Sequence, residues 1–216
     1  MNYFKRKKLN LKLIDKKSTI IENSVVIGKN VTIYPNNIIK GNTIIKDNVV
    51  LLPNNYIVDG IINDNVTIEY SYIEKSEVGS GSHIGPYSRL RPNAVVGKNC
   101  KVGNFVEIKN ATLSDGSKAS HLAYIGDADI GKDCNIGCGA VFVNYNGKEK
   151  NRSVVGDNCF IGSNVNVVAP VKIADESYVC AGTTITVNTE PKDFVIGRAR
   201  ETIKHNYTDK YKKENK

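Results

Sequence analysis

The sequence of 216 residues contains no tryptophan, and aromatic residues make up only 7% of it. A core built on large rings is therefore not expected. No apolar run approaches the roughly 18 residues that a membrane-spanning helix needs, and no signal-peptide stretch follows the basic opening segment. The five cysteines form no CxxC pair. We therefore expect a cytoplasmic protein with reduced thiols.

The formal net charge of +8 is concentrated at the two ends of the chain. Residues 1–17 contribute +6 and residues 198–216 contribute +4, so the remaining residues sum to −2. This distribution does not describe a nucleic-acid-binding domain with a basic face. Charged ends are usually just solvated. The alternative is that one of them helps to hold an anionic ligand.

Aliphatic residues recur at nearly every sixth position over most of the chain, and we call these residues the register positions. Of the 26 intervals between them, twenty are six residues, five are five residues and one is thirteen residues. The 27 register positions are Ile27, Ile33, Ile39, Ile45, Leu51, Ile57, Ile62, Ile68, Ile73, Val78, Ile84, Leu90, Val96, Val102, Ile108, Leu113, Ala119, Ile125, Ile130, Ile136, Phe142, Val155, Ile161, Val167, Ile173, Val179 and Ile185.

A helix cannot keep this pattern on one face, because six residues at about 100° each leave successive side chains far apart around the axis. Short strands with a bend after each sixth residue can, and three bends close a triangular coil. The repeat therefore predicts an all-β fold, a parallel β-helix of about nine coils. We assign the coils to residues 14–190, with a basic N-terminal arm at 1–13 and a basic C-terminal tail at 191–216. Both end segments are candidates to cover the open ends.

Small residues stand two positions before many register positions, where side chains point to the same interior. Cys100, Cys134 and Cys159 are among them. We interpret these three cysteines as buried small hydrophobic residues rather than as reactive groups.

Chemistry is expected where the repeat fails. The one long interval, between Phe142 and Val155, holds a polar insertion at residues 144–152. Histidine is scarce, and its spacing does not match a metal site, so no metal is predicted. His121 lies among polar residues shortly before the insertion. A single histidine that titrates near neutral pH can act as a general base.

Several motifs carry residues that the repeat does not explain. They are Ile84-Gly85-Pro86-Tyr87-Ser88-Arg89-Leu90-Arg91-Pro92, Val102-Gly103-Asn104-Phe105-Val106-Glu107-Ile108-Lys109, Gly116-Ser117-Lys118-Ala119-Ser120-His121-Leu122-Ala123-Tyr124-Ile125-Gly126-Asp127-Ala128, Asn135-Ile136-Gly137, Asn144-Tyr145-Asn146-Gly147 and Val168-Ala169-Pro170-Val171. In this order they resemble motifs of the acetyltransferase domain of the bacterial bifunctional N-acetylglucosamine-1-phosphate uridyltransferase/glucosamine-1-phosphate acetyltransferase. The resemblance covers roughly residues 11–200 and implies a left-handed β-helix.

The resemblance implies transfer of an acetyl group from acetyl-CoA to the amine of glucosamine 1-phosphate, with His121 as the general base. It implies a homotrimer with sites shared between subunits. The charge distribution and the lack of a long apolar run predict that neither nucleic acid nor membrane is a partner. No nucleotide-binding domain precedes the repeat, so uridyl transfer and its magnesium ion are not assigned. The residues that match the sugar-phosphate site are Arg91, Lys109, Tyr124, Asn135 and Lys150. Those that match the acetyl-CoA site are Cys138, Asn144, Tyr145, Ser163, Ala181 and Arg198.

Two points stay open at this stage. Cys138 stands where the family usually has alanine, which puts the shape of the acetyl-CoA pocket in doubt. Glu107 is a candidate to orient His121 across adjoining coils. The rival hypotheses for function are an acetyltransferase for another amino sugar or nucleotide-linked amino sugar, and a non-catalytic β-helix scaffold.

Overall fold

A computed structural model describes residues 10–211, in which thirty short strands form three parallel sheets. Sheet 1 contains β1 Lys12–Leu13, β4 Thr32–Ile33, β7 Val50–Leu51, β10 Thr67–Ile68, β13 His83–Ile84, β16 Lys101–Asn104, β19 Lys118–His121, β22 Asn135–Ile136, β25 Phe160–Ile161, β28 Tyr178–Val179 and β30 Phe194–Val195. Sheet 2 contains β2 Ile20–Ile21, β5 Ile38–Lys40, β8 Tyr56–Val58, β11 Tyr72–Glu74, β14 Arg89–Leu90, β17 Glu107–Lys109, β20 Tyr124–Gly126, β23 Val141–Val143, β26 Asn166–Val168 and β29 Thr184–Ile185. Sheet 3 contains β3 Val26–Ile27, β6 Ile44–Ile45, β9 Ile61–Ile62, β12 Glu77–Val78, β15 Val95–Val96, β18 Thr112–Leu113, β21 Ala128–Ile130, β24 Ser153–Val155 and β27 Lys172–Ile173.

Up to β29 the chain visits the three sheets in turn, so each strand pairs with the third strand after it; β30 then returns directly to sheet 1 and pairs with β28. The all-β parallel β-helix predicted from the repeat is confirmed, and its left-handed sense stays a prediction. The number of coils is about ten rather than about nine. The difference comes from three half-buried positions at the two ends, Leu13, Ile21 and Val195, which extend the inner file of aliphatic residues.

These end strands also show where the solenoid stops. Strand β1 lies inside the segment assigned to the N-terminal arm and pairs with β4 of the solenoid. Strand β30 lies inside the segment assigned to the tail and pairs with β28. The arm's residues 1–9 lie outside the described residues. The tail carries one further element, a 3-10 helix at Thr208–Tyr211. Among residues 10–211, no helix is long and apolar enough to cross a membrane.

The core is the file of register positions, and all 27 of them are buried. Phe142, the largest, is 1% exposed. Cys100, Cys134 and Cys159 are buried two positions before their register residues, as predicted. Burial raises the pKa of the Cys100 thiol, which suits a packing role.

Three corners separate the sheets, and we name each by the sheets it joins in chain order: the 1/2 corner, the 2/3 corner and the 3/1 corner. Many corners place one residue in the left-handed region, where asparagine and glycine are favoured. Tyr87 and Phe105 adopt this conformation at the 1/2 corner with φ of 58° and 57°. Their rings stack on each other with centroids 5.5 Å apart and stay more than half exposed.

Candidate functional site

The 1/2 corner carries a line of predicted site residues, one in each successive coil. Asn104 and His121 occupy equivalent positions in β16 and β19. Cys138, Ser163 and Ala181 continue the line, and the backbone bonds from Asn164 to Cys138 and from Gly182 to Ser163 tie its coils together. Since coils repeat at about 4.8 Å, the line runs about 14 Å from His121 to Ala181.

His121 is an exposed side chain held by one hydrogen bond. Its Nδ1 lies 2.7 Å from Oδ1 of Asn104. An amide oxygen can only accept, so the imidazole donates its Nδ1 proton and keeps the lone pair on Nε2. The prediction that Glu107 orients His121 is wrong, because Glu107 instead accepts a hydrogen bond from Arg91, with Nη1 and Oε1 2.8 Å apart. Asn104 was not predicted as a site residue, although it stands in one of the motifs, two residues after a register position.

The surface beside this line changes along the corner. At its left-handed position, Asn36 and Asn54 stand in the first coils, Tyr70, Tyr87, Phe105 and Leu122 in the next four, and Gly139, Asn164 and Gly182 in the last three. A ridge of apolar side chains therefore ends at the level of His121 and an open channel begins. The channel exposes Cys138, Ser163 and Ala181, three of the residues predicted for acetyl-CoA.

Arg198 returns from the terminal segment to the far end of this channel. Its Nη1 donates to the carbonyl oxygen of Ala181 at 3.1 Å. An open cavity of about 620 Å³ is centred on this end. Its lining residues are Ser163, Asn164, Tyr178, Cys180, Ala181, Gly182, Phe194 and Arg198.

The 2/3 corner collects cationic side chains. Arg91 and Lys109 follow register positions in adjoining coils of sheet 2, and Lys150 reaches them from the insertion. The nearby Lys150 ammonium lowers the pKa of Lys109, with burial adding to the effect. Glu107 raises the pKa of Arg91. Like charges held this close create a strong site for a dianion such as a phosphate monoester.

Asp127 sits beneath these cations, 6% exposed. Asn110 donates to its Oδ1 at 2.5 Å, and Asn144 donates to its Oδ2. Burial alone would raise the pKa of Asp127, but these two hydrogen bonds and the charges of Lys109 and Lys150 outweigh it and lower the pKa. Asp127 is therefore a carboxylate that balances the cations and fixes the Asn144 amide. Asp127 stands in one of the motifs but was not predicted as a site residue.

The insertion at 144–152 forms a small hairpin that projects from the 2/3 corner. Tyr145 and Lys150 form an antiparallel bridge, and the Tyr145 hydroxyl donates to the Gly147 carbonyl at 2.8 Å. At the end of the hairpin, Arg152 forms an ion pair with Asp129 and also donates to the Asn110 carbonyl at 2.8 Å. These contacts fix the shape of the hairpin, leave Tyr145 exposed and keep Lys150 beside Lys109.

Two predicted residues lie on faces rather than at these corners. Tyr124 is on the outer face of sheet 2, and its phenol covers Gly126, where any Cβ would overlap it. Asn135 is exposed on the outer face of sheet 1.

The predicted residues therefore form two half-sites at the two borders of sheet 2. His121 and Gly126 are five residues apart, and Gly126 lies opposite Lys109 in the ladder. At 3.3–3.6 Å per residue, the two borders are separated by up to about 18 Å. One chain thus places the base at the 1/2 corner and the cations at the 2/3 corner.

Groups of three or more histidine, cysteine, aspartate or glutamate side chains able to hold a metal ion are not found within residues 10–211. The candidate chemistry rests on the imidazole, the cations and the channel.

Comparisons with known proteins confirm the resemblance found in the motifs. Residues 152–186 match the family model "Bacterial transferase hexapeptide (six repeats)", and residues 72–145 match the "GMPPB C-terminal domain". Proteins named "Bifunctional protein GlmU" are 46% identical over 201 residues in Clostridium kluyveri and 47% identical over 198 residues in Clostridioides difficile.

These alignments cover 93% and 92% of this chain but only 44% and 43% of those proteins, so the chain spans less than half of their length. Among solved structures, PerB from Caulobacter crescentus, crystallised with CoA and GDP-perosamine, has a TM-score of 0.45 and 21% identity. That match covers 55% of this chain and 52% of PerB.

Proposed function

We propose that this hexapeptide-repeat chain, with its similarity to GlmU proteins, is an acetyl-CoA-dependent glucosamine-1-phosphate N-acetyltransferase. The product would be N-acetylglucosamine 1-phosphate, a precursor of UDP-N-acetylglucosamine. The observation that carries the proposal is the pair of half-sites. One combines a base with an open channel, and the other combines three cations with a buried carboxylate.

The cations supply the affinity for the acceptor. Arg91, Lys109 and Lys150 give charge-assisted donors for a phosphate dianion, and the arginine fork can donate two parallel hydrogen bonds. Asp127 keeps these like charges together before the acceptor arrives. Tyr124 lies on sheet 2 between the two borders, where it would contact the sugar.

The chemical step is attack of the acceptor amine on the thioester carbonyl. The amine must lose a proton to attack, and Nε2 of His121 is the free lone pair that takes it. The bond from nitrogen to the acetyl carbon forms, and the bond from that carbon to sulfur breaks, releasing CoA. A general base of this kind contributes about 10²- to 10⁴-fold to the rate.

The donor would lie along the channel, with its thioester beside His121 and Cys138 and its remaining length passing Ser163 and Ala181 toward Arg198. Asn144 and Tyr145 belong to the other border of sheet 2. They would meet this donor from a neighbouring copy of the chain.

The complete site would form in a homotrimer. In a closed ring, the 1/2 corner of each copy faces the 2/3 corner of the next, so three identical contacts form and no half-site is left over. Each contact would bring His121 of one subunit to Lys109, Lys150 and Tyr145 of its neighbour. The separation of the half-sites across sheet 2 supports this arrangement.

The test is release of free CoA thiol from acetyl-CoA with a panel of amino-sugar acceptors. Glucosamine 1-phosphate should give the highest kcat/KM, since only an acceptor with a phosphate monoester engages the cations fully. His121→Ala should lower kcat by about 10²- to 10⁴-fold while the Kd for acetyl-CoA is retained. A higher kcat/KM for another amino sugar would identify that sugar as the acceptor instead. The absence of thiol release with every acceptor would refute the activity.

A further inference from the structure

Three aromatic side chains stack on the outer face of sheet 1 at its C-terminal end. The ring centroids of Phe160 and Tyr178 are 4.5 Å apart, and those of Tyr178 and Phe194 are 5.0 Å apart, with interplanar angles of 13° and 21°. The stack follows the coils and is open to solvent. The exposed fraction rises along it from 37% to 42% and reaches 64% at Phe194.

Phe194 ends this stack. It lies in β30, the last strand of sheet 1 within the described residues, so no later coil of that sheet covers its ring. Among residues 10–211, its ring stacks only with Tyr178. One face of a large apolar ring is therefore available to another flat group.

The aromatic stack and the open channel at the 1/2 corner border the same cavity. Tyr178 and Phe194 line the same open space as Ser163, Ala181 and Arg198. This space lies three coils beyond His121, at the opposite end of the channel from the reacting thioester. The distal end of an extended donor would therefore arrive here.

The distal end of acetyl-CoA is an adenosine that carries phosphates. Arg198 offers a guanidinium for phosphate, and Phe194 offers a free π-face for a purine, which is the pairing that nucleotide sites use. We propose that Phe194, supported by the stacked Tyr178, binds the adenine ring of the donor and continues the aromatic stack by one ring. This inference rests on the proposed function and assigns the nucleotide subsite of the same site.

The experiment compares two acetyl donors, acetyl-CoA and acetyl-4′-phosphopantetheine, which carries the same thioester arm but no adenosine. Phe194→Leu keeps apolar volume and removes the π-face. Loss of one base-stacking contact should raise KM for acetyl-CoA about 5- to 150-fold, with kcat within about twofold. KM for acetyl-4′-phosphopantetheine should stay unchanged, because that donor has no base to stack.

The matched control is Tyr72→Leu, which removes a 39% exposed ring on sheet 2, stacked 4.8 Å from Tyr56 and remote from the channel. It should leave KM unchanged for both donors. An unchanged KM for acetyl-CoA in Phe194→Leu, or an equal rise for both donors, would overturn the assignment while the wild-type activity stands. Absence of thiol release in the wild-type chain would instead remove the proposed function and this inference with it.

Discussion

Asn104 gives the sharpest test of the His121 arrangement, because it supplies the one hydrogen bond that orients the imidazole. In Asn104→Ala, Nδ1 loses its acceptor at 2.7 Å, and the ring can turn or carry its proton on Nε2 instead. A net hydrogen bond is worth about 0.5–1.5 kcal/mol, so kcat should fall about 2- to 12-fold. The fall should be smaller than that of His121→Ala, since the base itself remains.

A second substitution separates orientation from simple damage. Asn104→Asp retains an acceptor for Nδ1 but adds a negative charge, which favours the protonated imidazole. The acid limb of the kcat profile should therefore move to higher pH, with activity near that of the wild type at alkaline pH. The control is Asn63→Ala, just after strand β9, which removes a side chain bonded to Glu77 and should change neither quantity. Unaltered kcat in Asn104→Ala, or an unmoved acid limb in Asn104→Asp, would refute the role given to this bond.

Two further predictions concern the 2/3 corner. Asp127→Asn fits the left-handed backbone, but it leaves one amide donor facing another. It should lower the free energy of unfolding by about 1–3 kcal/mol and Tm by about 2–12 °C. Because the folded pKa of Asp127 is lowered, its stabilising effect is present above the ordinary pKa and is lost as pH falls below about 4. Below that pH, the Tm difference between the wild type and Asp127→Asn should shrink. Asp115→Asn is the control and should not lower Tm comparably. A Tm difference that persists at low pH would contradict a stabilising role for the Asp127 charge. Lys150→Met should raise KM for glucosamine 1-phosphate about 10- to 100-fold, the effect of losing one charge-assisted bond. The rise in KM should be smaller at high salt. Lys148→Met in the same hairpin should leave KM unchanged, and equal effects of the two substitutions would refute a specific phosphate contact.

The fold could be predicted from sequence because the repeat acts at every coil. Each register residue must return to the same interior, so the period alone specifies where the chain bends. The ends were harder to predict. Leu13, Ile21 and Val195 lie in strands that pair on one side only, so their side chains stay half-buried. The interval before Val195 is ten residues, so the six-residue pattern is lost there.

The candidate site was predictable by residue but not by arrangement. The motifs selected His121, Lys109 and Lys150, yet a six-residue period does not show which border of a sheet each one occupies. Positions just after a register residue of sheet 2 fall at the 2/3 corner, and the His121 position falls at the 1/2 corner. The contacts of Asn104 with His121 and of Asp127 with Asn144 form between neighbouring coils. Each pair is 17 residues apart in sequence, so the contacts cannot be read from the repeat.

The central claim is that each site combines the 1/2 corner of one copy with the 2/3 corner of the next. Two impaired variants test it when they are unfolded, mixed in equal amounts, refolded together and assayed at low glucosamine 1-phosphate: His121→Ala, which lacks the base, and Lys109→Ala, which lacks one phosphate contact. In randomly mixed trimers, about one contact in four pairs an intact His121 with an intact Lys109, so thiol release should recover to about a quarter of the wild-type rate. Mixed trimers that stay as inactive as either variant alone would contradict the shared site.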